Sequence, residues 1–288
     1  MQAVSYQRAS TVSEAIDLLR DGGETARVLA GGTDLIVQAR ERKRNVDRFI
    51  DIKDIPEVMD ISYSASDGLT VGAATPVYQV YDKVYVKNHY PAIVEASSVI
   101  GGTAVQGRAS LGGNLCNSSP AGDSLTAMMV LGAVAHIAGP NGERDVAVTE
   151  FFTGPGRNVL ELGEFVVNIQ FPAPAAGSGA AWQRFIPRNE MDIAVVNCGT
   201  YLVLSGNTVM DARIALGAVA ATPIMAPAAA EALIGKSLTE ETIAAAAVAS
   251  SEAATPIDDM RGSIRQRKHL AGVLTERTLR NAADRARA

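Results

Sequence analysis

The stretch GGTAVQGRASLGGNLCNSSPAGDSLT, residues 101–126, decides how the rest of the chain is interpreted. It is filled with small residues, and a core strand would not hold Gly112-Gly113-Asn114 at its centre. A loose linker would not carry Leu111, Leu115 and Cys116 between its glycines. Glycines at this density let the backbone approach a large ligand and present N–H groups that side chains would obstruct.

An earlier stretch has the same character. Val28-Leu29-Ala30 predicts the end of a short buried strand, Gly31-Gly32-Thr33 a tight turn, and Asp34 to Arg40 the first turns of a helix. A strand, a glycine turn and a helix start form an anion site, because unpaired N–H groups and the positive end of the helix face one point. A plain turn is the alternative interpretation, since neither the three-glycine dinucleotide fingerprint nor the Walker lysine is present.

The two stretches together carry a family resemblance. LAGGTDL at residues 29–35, followed by RASLGGNLCNSSPAGDS at residues 108–124, resembles the FAD-binding medium subunit of the molybdenum hydroxylases, the family of xanthine, carbon monoxide and nicotine dehydrogenases. The resemblance covers the whole chain. It implies an α+β fold in which a two-lobed FAD-binding domain of the PCMH type precedes a smaller C-terminal domain of the carbon monoxide dehydrogenase flavoprotein type, with an antiparallel sheet and helices.

The resemblance also implies which residues contact a noncovalently bound FAD. Residues 28–35 and 110–114 would enclose the pyrophosphate from two lobes, and the Asp123 carboxylate would accept from hydroxyl donors. A plain helix cap is the alternative role of Asp123, because an apolar run over residues 125–134 predicts a buried helix after it. The complete set of implied contacts is Val28, Leu29, Ala30, Gly31, Gly32, Thr33, Asp34, Leu35, Ile100, Gly101, Ser110, Leu111, Gly112, Gly113, Asn114, Asp123, Val166 and Arg184.

Domain boundaries follow from composition and from the resemblance. Residues 1–172 are expected to form the FAD-binding domain, with lobes at about 1–53 and 54–172. Two prolines and two glycines lie among the small residues 172–179, and a linker is therefore predicted at 173–179. The C-terminal domain, 180–288, is predicted to contain two long strands, Ile193 to Leu204 and Thr208 to Gly217, and then three helices, an order typical of an α+β domain.

Acid–base, nucleophilic and metal chemistry are not indicated in this sequence. His89, His136 and His269 are scattered, no metal-ligand spacing or nucleophile elbow occurs, and we predict no catalytic residue and no metal ligand. Cys116 and Cys198 are expected to be buried free thiols, and two cysteines cannot hold an iron–sulfur cluster. A bound cofactor must therefore supply any chemistry.

Charge and hydropathy exclude other classes of partner. The net charge is −5, which does not suggest nucleic acid, and no stretch approaches the roughly 18 apolar residues of a membrane span. The N-terminus has no apolar signal core, so a cytoplasmic location is expected. Two basic segments, Arg40 to Arg44 and Arg261 to Arg287, are interpreted as solvated surface, with a partner-subunit contact as the alternative.

The expected function is that of an oxidoreductase subunit in a heterotrimer. Molybdopterin would be on a large partner subunit and [2Fe-2S] clusters on a small one, and this chain would pass electrons through FAD to NAD, a quinone or oxygen. The complex could oxidise a purine, an N-heterocycle, an aldehyde or carbon monoxide. One alternative is an FAD-free assembly scaffold, which would not need glycines at 31, 32, 112 and 113. The other is a self-contained FAD reductase of the cell-wall-precursor type, which would need its own substrate acid.

Overall fold

The computed structural model describes residues 3–288, so the first two residues of the N-terminal segment considered above lie outside the described residues. Its strands form one sheet in each of two lobes, one sheet in the C-terminal part of the chain and a separate two-stranded ribbon. Helices and mainly antiparallel sheets confirm the predicted α+β class. Within residues 3–288, no helix has both the length and the hydropathy needed to cross a lipid bilayer.

The first lobe is a small parallel sheet with helical crossovers. Its strand order is β1-β3-β2, and both pairs are parallel. The apolar residues Ala15, Leu19, Ala26 and Ile50 are buried in its core. The first glycine turn therefore leaves the carboxyl end of β2, where parallel sheets present their loops to ligands. The elements are β1 (Ser5–Arg8), α1 (Val12–Gly22), β2 (Ala26–Leu29), α2 (Leu35–Arg40) and β3 (Arg48–Asp51).

The second lobe is built on a five-stranded antiparallel sheet of order β4-β5-β10-β6-β7. The stretch 101–126, whose glycines predicted a loop before the buried helix, contains two further short helices. The elements are β4 (Ile61–Ser64), β5 (Gly68–Gly72), α3 (Val77–Asp82), α4 (Val84–His89), α5 (Pro91–Ser97), α6 (Thr103–Gln106), α7 (Leu111–Asn117), α8 (Asp123–Val130), β6 (Val134–Gly139), β7 (Gly142–Ala147), β8 (Phe152–Gly154), β9 (Arg157–Asn158) and β10 (Phe165–Phe171).

The buried helix after the glycine stretch is α8, and every residue of 124–130 in it is buried. The alternative role of Asp123, a helix cap, is wrong. Gly122 occupies the N-cap position without a side-chain hydrogen bond, and the Asp123 carboxylate instead accepts a hydrogen bond from Arg184. The donor to the carboxylate is therefore a side chain 61 positions away and not a backbone N–H of the helix itself.

The C-terminal domain pairs a four-stranded antiparallel sheet, β11-β12-β13-β14, with helices. The two predicted long strands form an antiparallel hairpin, in which Ser205 pairs with Thr208 across the turn. The first strand, β11, was not predicted, and its first two residues lie in the segment predicted as linker. The elements are β11 (Ser178–Phe185), β12 (Val196–Ser205), β13 (Thr208–Gly217), β14 (Ile224–Met225), α9 (Pro227–Glu231), α10 (Glu240–Ala253) and α11 (Ile264–Arg287).

Much of the positive charge of Arg261 to Arg287 is neutralised within the chain. Arg267 is buried, donates to the Val195 and Ala218 carbonyls at 2.8 Å, and pairs with Asp259. Arg280 pairs with Glu240, and Arg285 pairs with Glu95 of the second lobe. The interpretation of this segment as simply solvated surface is therefore wrong at Arg267, while Arg280 and Arg285 form ion pairs at partly exposed positions.

The second lobe and the C-terminal sheet share one core. Trp182 of β11 and Tyr201 of β12 are buried in the same apolar cluster as Leu125 and Met128 of α8. A buried polar contact crosses this boundary: the Thr126 hydroxyl accepts from Trp182 Nε1 at 2.9 Å and donates to Asn197 Oδ1 at 2.7 Å. Because an unpaired buried hydroxyl is costly, this chain of hydrogen bonds fixes how the sheet lies on α8.

Candidate functional site

A cleft of about 550 Å³ lies between the two lobes and is lined by both glycine stretches. This volume is within the usual range of small-molecule sites, roughly 300 to 1,000 Å³. The implied contacts that line the cleft are Val28, Ala30, Gly31, Gly32, Thr33, Asp34, Leu35, Ile100, Ser110, Gly112, Gly113, Asn114 and Val166. Leu29, Gly101, Leu111, Asp123 and Arg184 lie outside this lining, and Leu29 and Leu111 are core residues.

The first glycine turn packs directly against the second lobe. A Cβ on Gly31 would lie 1.9 Å from the carbonyl oxygen of Arg108, and Arg108 Nε donates to the Gly31 carbonyl at 3.2 Å. Gly32 has a φ of +76°, a conformation that favours glycine. The contact between the lobes explains Gly31, and the backbone conformation explains Gly32. Neither glycine therefore requires a ligand.

The second glycine stretch forms the start of α7. Ser110 is its N-cap, and its hydroxyl accepts from the Gly113 N–H at 3.1 Å. A Cβ on Gly112 would lie 2.5 Å from the Ala73 carbonyl oxygen, so this glycine allows α7 to pack on the end of β5. A Cβ on Gly113 would meet only Ser110 Oγ, at 3.0 Å. Of these two cleft-lining positions, Gly113 is the one whose Cβ would contact only a side chain and no backbone atom.

These contacts correct the expectation that only a cofactor would require the four glycines. The conformational and packing needs of the chain account for Gly31, Gly32 and Gly112, and only Gly113 points to a ligand by its lack of a side chain. The sequence does not show which glycines are needed for packing and which for a ligand. The reason is that Arg108 and Ala73 are far along the chain from Gly31 and Gly112, the glycines that they contact.

Asp123 and Arg184 form a buried ion pair. Arg184 Nη1 donates to Asp123 Oδ2 at 2.8 Å, and the side chains are only 7% and 12% exposed for Arg184 and Asp123. Burial raises the pKa of Asp123 to about 6, although the charge and hydrogen bond of Arg184 oppose the shift. Asp123 Oδ1 is buried without a hydrogen-bond partner in residues 3–288, which leaves it free to accept from a hydroxyl donor.

Several cleft residues were not predicted as cofactor contacts. They include two arginines, Arg27 and Arg44, of which Arg44 had been interpreted only as part of a basic surface segment. Gln38 Nε2 donates to Asn117 Oδ1 at 3.0 Å and so joins α2 to α7 beside the cleft. The segment 160–165, which leads into β10, forms another wall, and no motif in it signalled this role.

Residues 3–288 contain no group of three or more His, Cys, Asp or Glu side chains that could hold a metal ion. Both cysteines are free. Cys116 lines the cleft, and burial raises the pKa of its thiol to about 12. Cys198 lies among the Thr200, Thr275 and Thr278 hydroxyls, and burial raises the pKa of its thiol as well.

The two domains of the chain match those of one class of protein, an oxidoreductase subunit with an FAD-binding domain. Residues 2–174 match the family model described as the FAD binding domain in molybdopterin dehydrogenase, and residues 183–282 match the CO dehydrogenase flavoprotein C-terminal domain. The chain belongs to the FAD-binding medium subunits of the molybdenum hydroxylases, the xanthine and carbon monoxide dehydrogenase family. The resemblance seen in the sequence is thus confirmed.

Relatives and solved structures match over almost the whole chain. The carbon monoxide dehydrogenase medium chain of Hydrogenophaga pseudoflava is 34% identical over 96% of both chains. The xanthine dehydrogenase FAD-binding subunit of Escherichia coli O157:H7 is 32% identical over 96% of this chain and 95% of that one.

Among solved structures, carbon monoxide dehydrogenase from Hydrogenophaga pseudoflava has a TM-score of 0.94 at 34% identity, covering 99% and 98% of the two chains. Quinoline 2-oxidoreductase from Pseudomonas putida 86 has a TM-score of 0.92 at 31% identity, covering 100% and 99%. These similarities to dehydrogenase subunits do not favour the scaffold or the cell-wall-precursor reductase.

Proposed function

We propose that the chain binds one FAD noncovalently in the cleft and carries electrons within a heterotrimer. They arrive from a large molybdenum-containing subunit through a small iron–sulfur subunit, and they leave to NAD, a quinone or oxygen. Bound FAD would supply the electron-carrying chemistry, and the chain would supply binding and orientation. The relatives named as medium chains or FAD-binding subunits support this division of labour.

One observation carries the proposal: both glycine stretches meet at a single cleft, and Gly113 lies in its lining without a backbone contact at its Cβ position. The N–H groups of Leu111 and Gly112 lie ahead of the first intrahelical bond of α7, from Asn114 N to the Ser110 carbonyl at 3.0 Å. Such groups have no intrahelical acceptor and favour an anion. The residues therefore fit a phosphate-bearing cofactor.

Asp123 and Arg184 extend the fit beyond the cleft lining. The unpartnered Oδ1 of Asp123 suits a hydroxyl donor of a long cofactor, and Arg184 holds the carboxylate in place. The cation also favours the charged form of the carboxyl, which is the form that only accepts hydrogen bonds.

The proposal is tested on the purified chain loaded with FAD. We expect stoichiometric flavin binding and, with a dye acceptor, no turnover of purines, N-heterocycles, aldehydes or carbon monoxide by this chain alone. Turnover should begin only when the two partner subunits are added. Turnover of any of these compounds without a partner would contradict the proposed role, and failure of the folded chain to bind FAD would contradict the cofactor.

A further inference from the structure

Two arginines are the only cationic side chains that line the cleft among residues 3–288. Arg27 lies on β2, one residue before the predicted contacts begin, and Arg44 follows α2. Both side chains are partly buried. They come from opposite sides of the glycine turn in the sequence, and the fold brings them to one cavity.

Neither arginine has a carboxylate partner within the part of the chain that the structure describes. Arg27 Nη1 donates to the carbonyls of Glu24 and Ala26 at 2.6 and 2.7 Å, and Arg44 Nη2 donates to the Gly156 carbonyl at 3.2 Å. These neutral acceptors orient the guanidinium groups but leave their charge in place.

The two charges act on each other. Partial burial lowers the pKa of Arg27, the charge of Arg44 lowers it further, and the Glu24 carboxylate only partly opposes them without a direct ion pair. Arg44 also acts on the thiol of Cys116, in the last turn of α7. Two like charges held in a cavity cost free energy unless an anion binds between or beside them.

We propose that Arg27 and Arg44 form the recognition site for the adenosine diphosphate half of the cofactor. The inference rests on the proposed binding of FAD in this cleft. The planar guanidinium groups would pair with phosphate oxygens and lie against the purine. They add two positive charges to a cleft whose lining also contains the carboxyl side chains of Glu24, Asp34, Glu161 and Glu164. Selectivity for FAD over riboflavin would then reside in side chains.

The test compares FAD, ADP and riboflavin binding to the flavin-free chain by calorimetry. We expect Arg27→Gln and Arg44→Gln each to weaken FAD and ADP roughly ten- to hundredfold, because a charge-assisted hydrogen bond is lost, while riboflavin affinity stays unchanged. Arg44→Lys, which keeps the charge, should lose less than Arg44→Gln. The matched control is Arg40→Gln, because Arg40 is exposed on α2 and does not line the cleft.

Several outcomes would overturn the inference. Unchanged FAD and ADP affinity in both glutamine variants would do so, as would an equal loss for riboflavin, which would indicate a general structural effect. An Arg44→Lys variant as weak as Arg44→Gln would rule out charge as the basis. If inorganic phosphate binds in an Arg44-dependent way while both glutamine variants keep the wild-type FAD affinity, the site would be assigned to a free anion. A wild-type chain that binds no FAD would instead contradict the proposed function itself.

Discussion

Arg184 Nη1 donates a 2.8 Å hydrogen bond to Asp123 Oδ2, which joins the first strand of the C-terminal sheet to the first residue of the buried helix α8. Two residues expected to contact a cofactor separately therefore contact each other. The pair links the second lobe to the C-terminal domain beside the Asp192 carbonyl, a second acceptor of Arg184 at 3.5 Å.

Breaking this pair from one side should be more harmful than removing both partners. Arg184→Met leaves a buried carboxylate, and Asp123→Leu leaves a buried guanidinium; each is expected to cost about 3 to 5 kcal/mol of unfolding free energy. The double variant should lose clearly less than the two single losses added together. Urea unfolding of the four proteins at pH 7.5 measures this, and strict additivity would contradict a direct coupling.

The raised pKa of Asp123 predicts a specific pH dependence of stability. Because the carboxyl holds its proton more tightly in the folded state, its contribution is fully present below the unfolded pKa of 3.8 and is lost as pH rises through about 6. Asp123→Asn lacks this contribution. The unfolding free energy of the wild type minus that of Asp123→Asn should therefore decrease between pH 4 and pH 7, by at most about 3 kcal/mol.

This measurement uses the flavin-free proteins, since a bound ligand would add its own linkage. Chemical denaturation at intervals of half a pH unit gives the difference directly. A difference that stays constant across the range would mean that Asp123 titrates alike in the folded and unfolded chains.

Two glycines that look equivalent in sequence should respond differently to alanine. Gly31→Ala places a Cβ 1.9 Å from the Arg108 carbonyl oxygen, so we expect about 1 to 3 kcal/mol of destabilisation. Gly113→Ala meets only a serine hydroxyl within a helix, where alanine is favoured over glycine, so its melting temperature should be retained or raised. Its FAD affinity should nevertheless fall.

Thermal unfolding without flavin and calorimetric titration with FAD separate the two effects. Gly107→Ala offers a control without a steric clash, since the atom nearest to its Cβ position is 3.6 Å away and the residue does not line the cleft. Undiminished FAD binding by Gly113→Ala and also by Gly113→Val would contradict a close cofactor approach at this residue.

FAD is expected to leave the protein completely on acid precipitation. Cys116 is the cysteine in the cleft, and a thiol with a pKa of about 12 stays protonated and unreactive at neutral pH. All yellow colour should appear in the supernatant, in the wild type and in Cys116→Ser alike. Flavin retained on the wild-type pellet but not on that of the variant would indicate a covalent tether.

Local pattern predicted the parts of the fold that depend on near neighbours. The glycine turn after β2 and the hairpin around Gly206 are encoded by residues adjacent to them in sequence. Strand β11, Ser178–Phe185, was missed because half of its residues are small and none has a β-branched side chain.

Features that depend on distant residues could not be predicted in this way. The donor to Asp123 is 61 positions away, and the atom nearest to a Cβ on Gly31 belongs to Arg108. Arg44 was visible only as a charge near a helix end, because its position in the cleft depends on how α2 lies against the second lobe.

The contact of Trp182, Thr126 and Asn197 across the boundary between the second lobe and the C-terminal sheet has a consequence for limited proteolysis. The segment from Pro172 to Gly177, where a protease would find small and partly exposed residues, connects two parts that bury a common set of apolar side chains. A chain nicked there should keep its fragments together as one particle, and neither fragment should refold by itself. The point where the polypeptide is easiest to cut is therefore not where the protein would come apart.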